Sequence, residues 1–313
     1  MGEDGAMSFR TLDGQPPIII AHRGASGYWP EHSSEAYRRA IDMGADAVEP
    51  DLVMTADGHL VVRHDRYLSG STDVADHTRF ASRRVVKPGR AGADWYVEDF
   101  TLAEIAALRC RQPFPGRSAA HDGQYPVLTF GDLLGLLREG EERRGASIGF
   151  HPEMKDPDHL LSLGLDVVPP LLRTLEAYGY GAEREDLFIQ SFDNAFLRRI
   201  RPLTDIRLTQ LLVEDGGAPH VPVESVAGLA AAIGPQKSLL LDGATGASTG
   251  LTERAHDLGL RVHVWTFRDD RVGNGFADVA EELRAYFALG IDGAFADFAD
   301  TALVIRDRFA AQA

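Results

Sequence analysis

His22-Arg23-Gly24, Pro30-Glu31, Glu49-Pro50-Asp51 and His64-Asp65 gather acid–base groups, a guanidinium and carboxylates in one N-terminal stretch. Such a set suits metal-assisted attack on a phosphate ester. Cleaving a phosphodiester needs one group to take a proton from the nucleophile and another to give one to the departing alkoxide, and imidazoles do both near neutral pH. His22 and His64 are therefore the candidate catalytic pair. Arg23 can grip a phosphate oxygen through its planar fork of donors, or pair with Glu31 or Glu49. Glu49 and Asp51 alternate, so on a strand both carboxylates face one way and crowd negative charge that a cation would relieve. Glu153, in His151-Pro152-Glu153-Met154-Lys155, is the third candidate metal ligand. Oxygen-only ligation selects one Ca2+ or Mg2+ over zinc. Paired with Arg23 and Lys155 instead, the same carboxylates need no metal. Lys155 shares the face of Glu153 and brings a cation toward phosphate charge. Gln190 and Trp265 end or lie within further apolar runs, as a ligand-orienting amide and a pocket wall or as core residues. Asp297 reads as a structural cap.

These groups need elements that deliver them to one place. Short aliphatic runs alternate with amphipathic ones after Gly14, the pattern of parallel strands joined by crossover helices. Strands are expected at 18–21, 47–52, 147–153, 187–191, 207–213, 238–241, 261–267 and 292–296. Helices are expected at 34–43, 129–139, 167–178, 194–200, 223–232, 251–258 and 277–289. Eight strands predict an α/β fold of the TIM-type (β/α)8 barrel class, with a small insertion at the catalytic end. The doubly wound rival usually carries a glycine-rich phosphate turn after its first strand, and His22–Gly27 is not one. The rhythm fails between His64 and Val127. The expected organisation is a barrel domain over 14–313, an insertion over 67–125 that shapes substrate access, and a disordered segment over 1–13.

The 47 acidic against 32 basic residues give a net charge of −15, which repels nucleic acid and anionic membrane surfaces. No run is long and apolar enough for stable membrane insertion. The single cysteine, Cys110, excludes an internal disulfide and reads as a buried thiol. The first residues lack the basic and apolar regions of a leader. As it stands the sequence reads as soluble and cytoplasmic, or periplasmic or secreted if a signal peptide was removed. Oligomeric state is left open.

The ordered set His22-Arg23-Gly24, Pro30-Glu31-His32, Gly44-Ala45-Asp46, Glu49-x-Asp51, Thr55-x-Asp57-Gly58, His64-Asp65 and Pro152-Glu153-x-Lys155 resembles the glycerophosphodiester phosphodiesterases. The likeness continues through Gln190–Asp193 and Asp292–Phe298, covering nearly the whole chain. The segments 67–76 and 99–108 are similar to the larger bacterial, often exported branch. The resemblance implies a metal-dependent barrel that hydrolyses a small-molecule glycerophosphodiester to sn-glycerol 3-phosphate and an alcohol. It implies His22 and His64 as the acid–base pair, Arg23 and Lys155 as phosphate clamps, and Glu49, Asp51 and Glu153 as metal ligands. Gln190 and Trp265 would line the glycerol side. Two rivals are a lysophospholipid-type phosphodiesterase on the same barrel and a non-catalytic glycerophosphodiester-binding barrel. Retention of both histidines speaks against mere binding.

Overall fold

Two prolines decide how the barrel is cut into strands. In the computed structural model, which describes residues 9–88, 90–242 and 245–312, Pro50 separates β2 (Ala47–Glu49) from β3 (Asp51–Met54). Pro152 lies likewise between β5 (Gly149–Phe150) and β6 (Glu153–Met154). Proline has no N–H to give a ladder, so each of these staves is interrupted rather than ended. β2 pairs in parallel with β5 below the breaks, and β3 with β6 above them. The ring is completed by β1 (Ile18–His22), β7 (Phe188–Ser191), β8 (Arg207–Leu212), β11 (Ala232–Pro235), β12 (Arg261–Phe267) and β13 (Gly293–Ala296). β1 pairs with both β2 and β13, which closes the sheet into an eight-stave parallel barrel. β4 (Leu60–Val62) folds back antiparallel on β3. β9 (Glu214–Asp215) and β10 (Ala218–Pro219) form a separate small hairpin.

The main core lies between this ring and the surrounding helices, as expected when both faces of a parallel sheet are covered. Ser33 caps the first helix, Ser34–Asp42, its Oγ accepting from the Ala36 amide at 3.2 Å. Among the described residues no helix is long and apolar enough to cross a membrane.

Two sequence expectations fail at one stave. The sixth strand is Ala232–Pro235, not 238–241, and the helix expected over 223–232 shrinks to a single turn at Val223–Ser225. Alanine-rich Ala230-Ala231-Ala232 has helical propensity, but in a barrel stave small residues are what fit. A Cβ on Gly234 would come within 2.4 Å of Leu211 Cδ2. Leu239 and Leu240 are buried from a short helical turn rather than a strand. The helices Pro157–Ser162 and Ala299–Ala310 were not foreseen.

The expected insertion builds a core of its own. Leu68, Val74, Phe80, Trp95, Phe100 and Cys110 pack with Val53 and Val61 of the β3–β4 hairpin. Cys110 is buried and unpaired with any other thiol, as its apolar setting predicted. The expectation of disorder over 1–13 is corrected where it can be read. Residues 1–8 lie outside the described residues, whereas Thr11 is buried and the Leu12 amide donates to Asp292 Oδ1 at 2.7 Å.

Candidate active site

Ladder register brings the polar strand ends together. His22 stands opposite Glu49, Asp51 opposite Glu153, and Glu153 opposite Gln190. Because parallel staves end at a common rim, residues at matching register share one mouth. Glu49, Asp51 and Glu153 are buried there, each offering an oxygen within 4.8 Å of the others'. Burial and the facing Asp51 and Glu153 charges push Glu49 well above the ordinary carboxylate range. Burial and Asp51 push Glu153 up to about 8 against the pull of Lys155. Burial would raise Asp51 too, but Lys155, His64 and Arg23 hold it well below its ordinary value. Asp51 Oδ1 is buried without a hydrogen-bond partner. Three buried carboxylates with oxygens this close fit a divalent cation.

The two candidate histidines line the same cavity. His22 Nδ1 lies 2.6 Å from Asp297 Oδ1. Burial and the adjoining Arg23 charge push His22 down to about 4, despite the opposing pull of Asp297. At neutral pH the ring is therefore uncharged, with its one proton on Nδ1 facing Asp297 and Nε2 left as a lone-pair acceptor. Asp297 is fully buried, and its Oδ2 accepts from Arg117 Nη2 at 2.6 Å and Arg268 Nε at 2.7 Å. Burial alone would raise its proton affinity, but the His22 hydrogen bond and the two guanidiniums hold it far below the carboxylate norm. The expectation that Asp297 is only a cap is thus corrected. His64 is less enclosed, with 31% of its side chain exposed and Nδ1 at 2.9 Å from Asp65 Oδ1.

Arg23 sits in a left-handed backbone conformation (φ 59°), unusual for a non-glycine residue. Its Nη1 donates to Glu31 at 2.6 Å and its Nε lies 3.3 Å from Asp51 Oδ2, so much of its fork is engaged by protein carboxylates. It still lines the cavity. Lys155 Nζ lies 2.7 Å from Glu153 Oε1 and 3.7 Å from Asp51 Oδ1. Gln190 is buried at the cavity wall with Oε1 unpartnered. Trp265 forms another wall, its Nε1 donating to Gly234 O at 2.7 Å. All nine residues singled out from the sequence meet at this rim.

His32 was missed as a functional group. It is fully buried, with Nε2 3.0 Å from Asp51 Oδ2 and Nδ1 2.8 Å from the Tyr37 hydroxyl. Burial pushes it down to about 4 despite Asp51, so the neutral ring donates from Nε2 to Asp51 and accepts from Tyr37. Its place in Pro30-Glu31-His32 was the available signal. The cavity has a volume of about 970 Å3, near the upper end of the roughly 300–1,000 Å3 of small-molecule sites. Among the described residues none of 67–125 lines it; its outer wall comes instead from the loops after β11 and β12, including Lys237, Val272 and Phe276. The walls of the cavity are thus built by the barrel loops, with the expected insertion set outside them.

Comparison with known proteins agrees with this geometry. A profile of the Glycerophosphoryl diester phosphodiesterase family matches residues 22–301. The chain is 32% identical to a glycerophosphodiester phosphodiesterase of Haemophilus influenzae, over 91% of this chain and 88% of that one. It is 30% identical to glycerophosphodiester phosphodiesterase GDPD6 of Arabidopsis thaliana, over 92% and 86% of the two chains. In fold it resembles an Oleispira antarctica phosphodiesterase solved with its product sn-glycerol-3-phosphate, with a TM-score of 0.66 at 20% identity, covering 95% of this chain and 99% of that one. Barrel, rim and sequence together place this chain in the glycerophosphoryl diester phosphodiesterase family.

Proposed function

We propose that the protein hydrolyses glycerophosphodiesters to sn-glycerol 3-phosphate and an alcohol, using one divalent cation and the His22–His64 pair. The observation that carries this reading is that two histidines line one cavity with Glu49 and Glu153, whose carboxylate oxygens lie within 4.8 Å of one another and of an oxygen of the buried Asp51 behind them. The sn-glycerol-3-phosphate bound by the Oleispira antarctica phosphodiesterase supports the product assignment. Glu49, Asp51 and Glu153 would hold the ion, Ca2+ or Mg2+, with His32 fixing the orientation of Asp51. When bound, the ion supplies Lewis-acid polarisation of a phosphoryl oxygen and neutralises developing charge.

The chain's own groups complete the chemistry. Lys155, and Arg23 through the part of its fork not given to Glu31, meet the remaining phosphate charge. His22 is the general base, because its fixed Nδ1 proton leaves Nε2 free to accept one. His64 is the general acid that protonates the departing alkoxide oxygen, so that it leaves as the alcohol. Gln190 and Trp265, both in the cavity wall, would line the glycerol side. The glycerol hydroxyl adjacent to the ester is the favoured nucleophile, since intramolecular attack gains greatly from proximity. Water then opens the cyclic glycerol phosphate. Incubation with glycerophosphoethanolamine under Ca2+ or Mg2+ should release glycerol 3-phosphate, and chelation should stop it. Release that continues undiminished in excess chelator would refute the role of the ion.

A further inference from the structure

Arg117 belongs to the expected insertion, yet its side chain is only 2% exposed and reaches the catalytic rim. Its Nη2 donates to Asp297 Oδ2 at 2.6 Å, and its Nη1 to Ser26 O at 3.1 Å. Asp270 grips the other edge of the guanidinium, from Nε at 2.7 Å and Nη2 at 3.1 Å. The guanidinium carbon also lies 4.2 Å from the Phe114 ring centroid. Nearby Gln112 donates from Nε2 to Ser26 O and Trp29 O, at 3.1 and 3.2 Å. Ser26 in turn donates from Oγ to the carbonyl of His22 at 2.8 Å. The segment 112–117 is therefore strapped across the loop that follows His22, and it holds both the backbone there and the carboxylate that orients the imidazole.

We propose that Arg117 is a positioning residue for the reaction, acting through Asp297 on His22, so that the insertion serves catalysis by fixing the base rather than by selecting substrate. The proposal rests on the reading of His22 as the general base. A buried carboxylate with three partners has one orientation; with Arg117 removed, Asp297 keeps His22, Arg268 and the Gly27 amide on its backbone carbonyl, but its Oδ2 loses the guanidinium that links it to Ser26 and Asp270. Small displacements of a catalytic group cost about a hundredfold when they approach 1 Å. Lysine at 117 would keep the charge and the donors of a compact ammonium but not the planar fork that joins Asp297, Asp270 and Ser26.

The test compares R117M and R117K in wild-type and His22→Ala backgrounds, with glycerophosphoethanolamine as substrate. R117M should lower kcat about ten- to a hundredfold with KM changed less than about threefold, and R117K should fall between it and wild type. In the His22→Ala background neither substitution should lower kcat further, because residues acting through one group are not additive. An undiminished kcat in R117M, or an equal loss in both backgrounds, overturns the proposal. If R117M fails to fold, R117K carries the same comparison. Nitrogen-15 NMR of the His22 imidazole gives a readout that needs no turnover. A changed Nδ1–H resonance in the arginine variants supports the positioning role, and an unchanged one contradicts it. If wild type cleaves no glycerophosphodiester while the arginine variants still change the His22 resonance, the proposed activity fails and the positioning geometry stands.

Discussion

Asp297 Oδ1 lies 2.6 Å from His22 Nδ1, and the two residues come from opposite ends of the chain. β1 and β13 are neighbours in the closed ring, so the last stave supplies the orienting group for the imidazole on the first. The pair fixes which ring nitrogen carries the proton, and thereby which one can accept.

Replacing Asp297 by Asn should therefore cost more than one hydrogen bond. The amide is a neutral acceptor and leaves Arg117 and Arg268 facing no buried charge. Turnover should fall roughly 100- to 10,000-fold, the scale of losing a correctly held general base. Steady-state kinetics with a parallel thermal melt separates this from unfolding, and a folded variant within about threefold of wild type would refute the orienting role.

Ion binding should release protons. Glu49 and Glu153 are both raised in proton affinity, Glu153 up to about 8, so at neutral pH the ion-free rim retains protons that a bound cation must displace. Titration calorimetry in two buffers of different ionisation enthalpy should give different heats, and affinity should rise from about pH 6 to 8. Heats independent of buffer would contradict the placement of the ion on this trio.

His263 should contribute to acid instability. It is buried against His151 and Phe188, with ring centroids 5.2 Å away in each case, and its Nδ1 has no partner. Burial, then His151 and Arg261, push it well below its ordinary value of 6.5. The unfolded chain thus binds the proton more tightly than the folded one. Its stabilising contribution is complete above about pH 6.5 and is lost as pH falls below that, at up to about 1.4 kcal/mol per pH unit. Denaturant melts of a His263→Leu variant should show a shallower loss of stability between about pH 6.5 and 5 than wild type. An equal slope would show that this histidine is not held neutral.

The groups legible in the sequence are those that sit at the ends of aliphatic runs. His22, Glu49, Asp51, Glu153 and Gln190 each end or closely follow such a run, and a parallel barrel brings strand ends to one rim whatever the details of the loops. His32 lies in Pro30-Glu31-His32, but its role depends on a left-handed backbone at φ 61° and on the closeness of its ring to Asp51. Asp297 followed the last strand and looked like a cap because its partners, Arg117 and Arg268, are set by tertiary closure and not by spacing. The stave Ala232–Pro235 escaped for a related reason. Its small residues answer to the crowding around Gly234 and Leu211 rather than to β propensity.

The division of labour between the histidines is tested most directly by varying the leaving group. Wild type, His22→Ala and His64→Ala are each assayed on glycerophosphoethanolamine and on a glycerophosphodiester of 4-nitrophenol, whose departing oxygen needs little protonation. His22→Ala should be slowed roughly a hundredfold or more on both substrates. His64→Ala should be slowed as much on the ethanolamine diester and run close to wild type on the nitrophenyl diester. Two folded variants that turn over glycerophosphoethanolamine at near wild-type rates would contradict the acid–base pair on which the account stands.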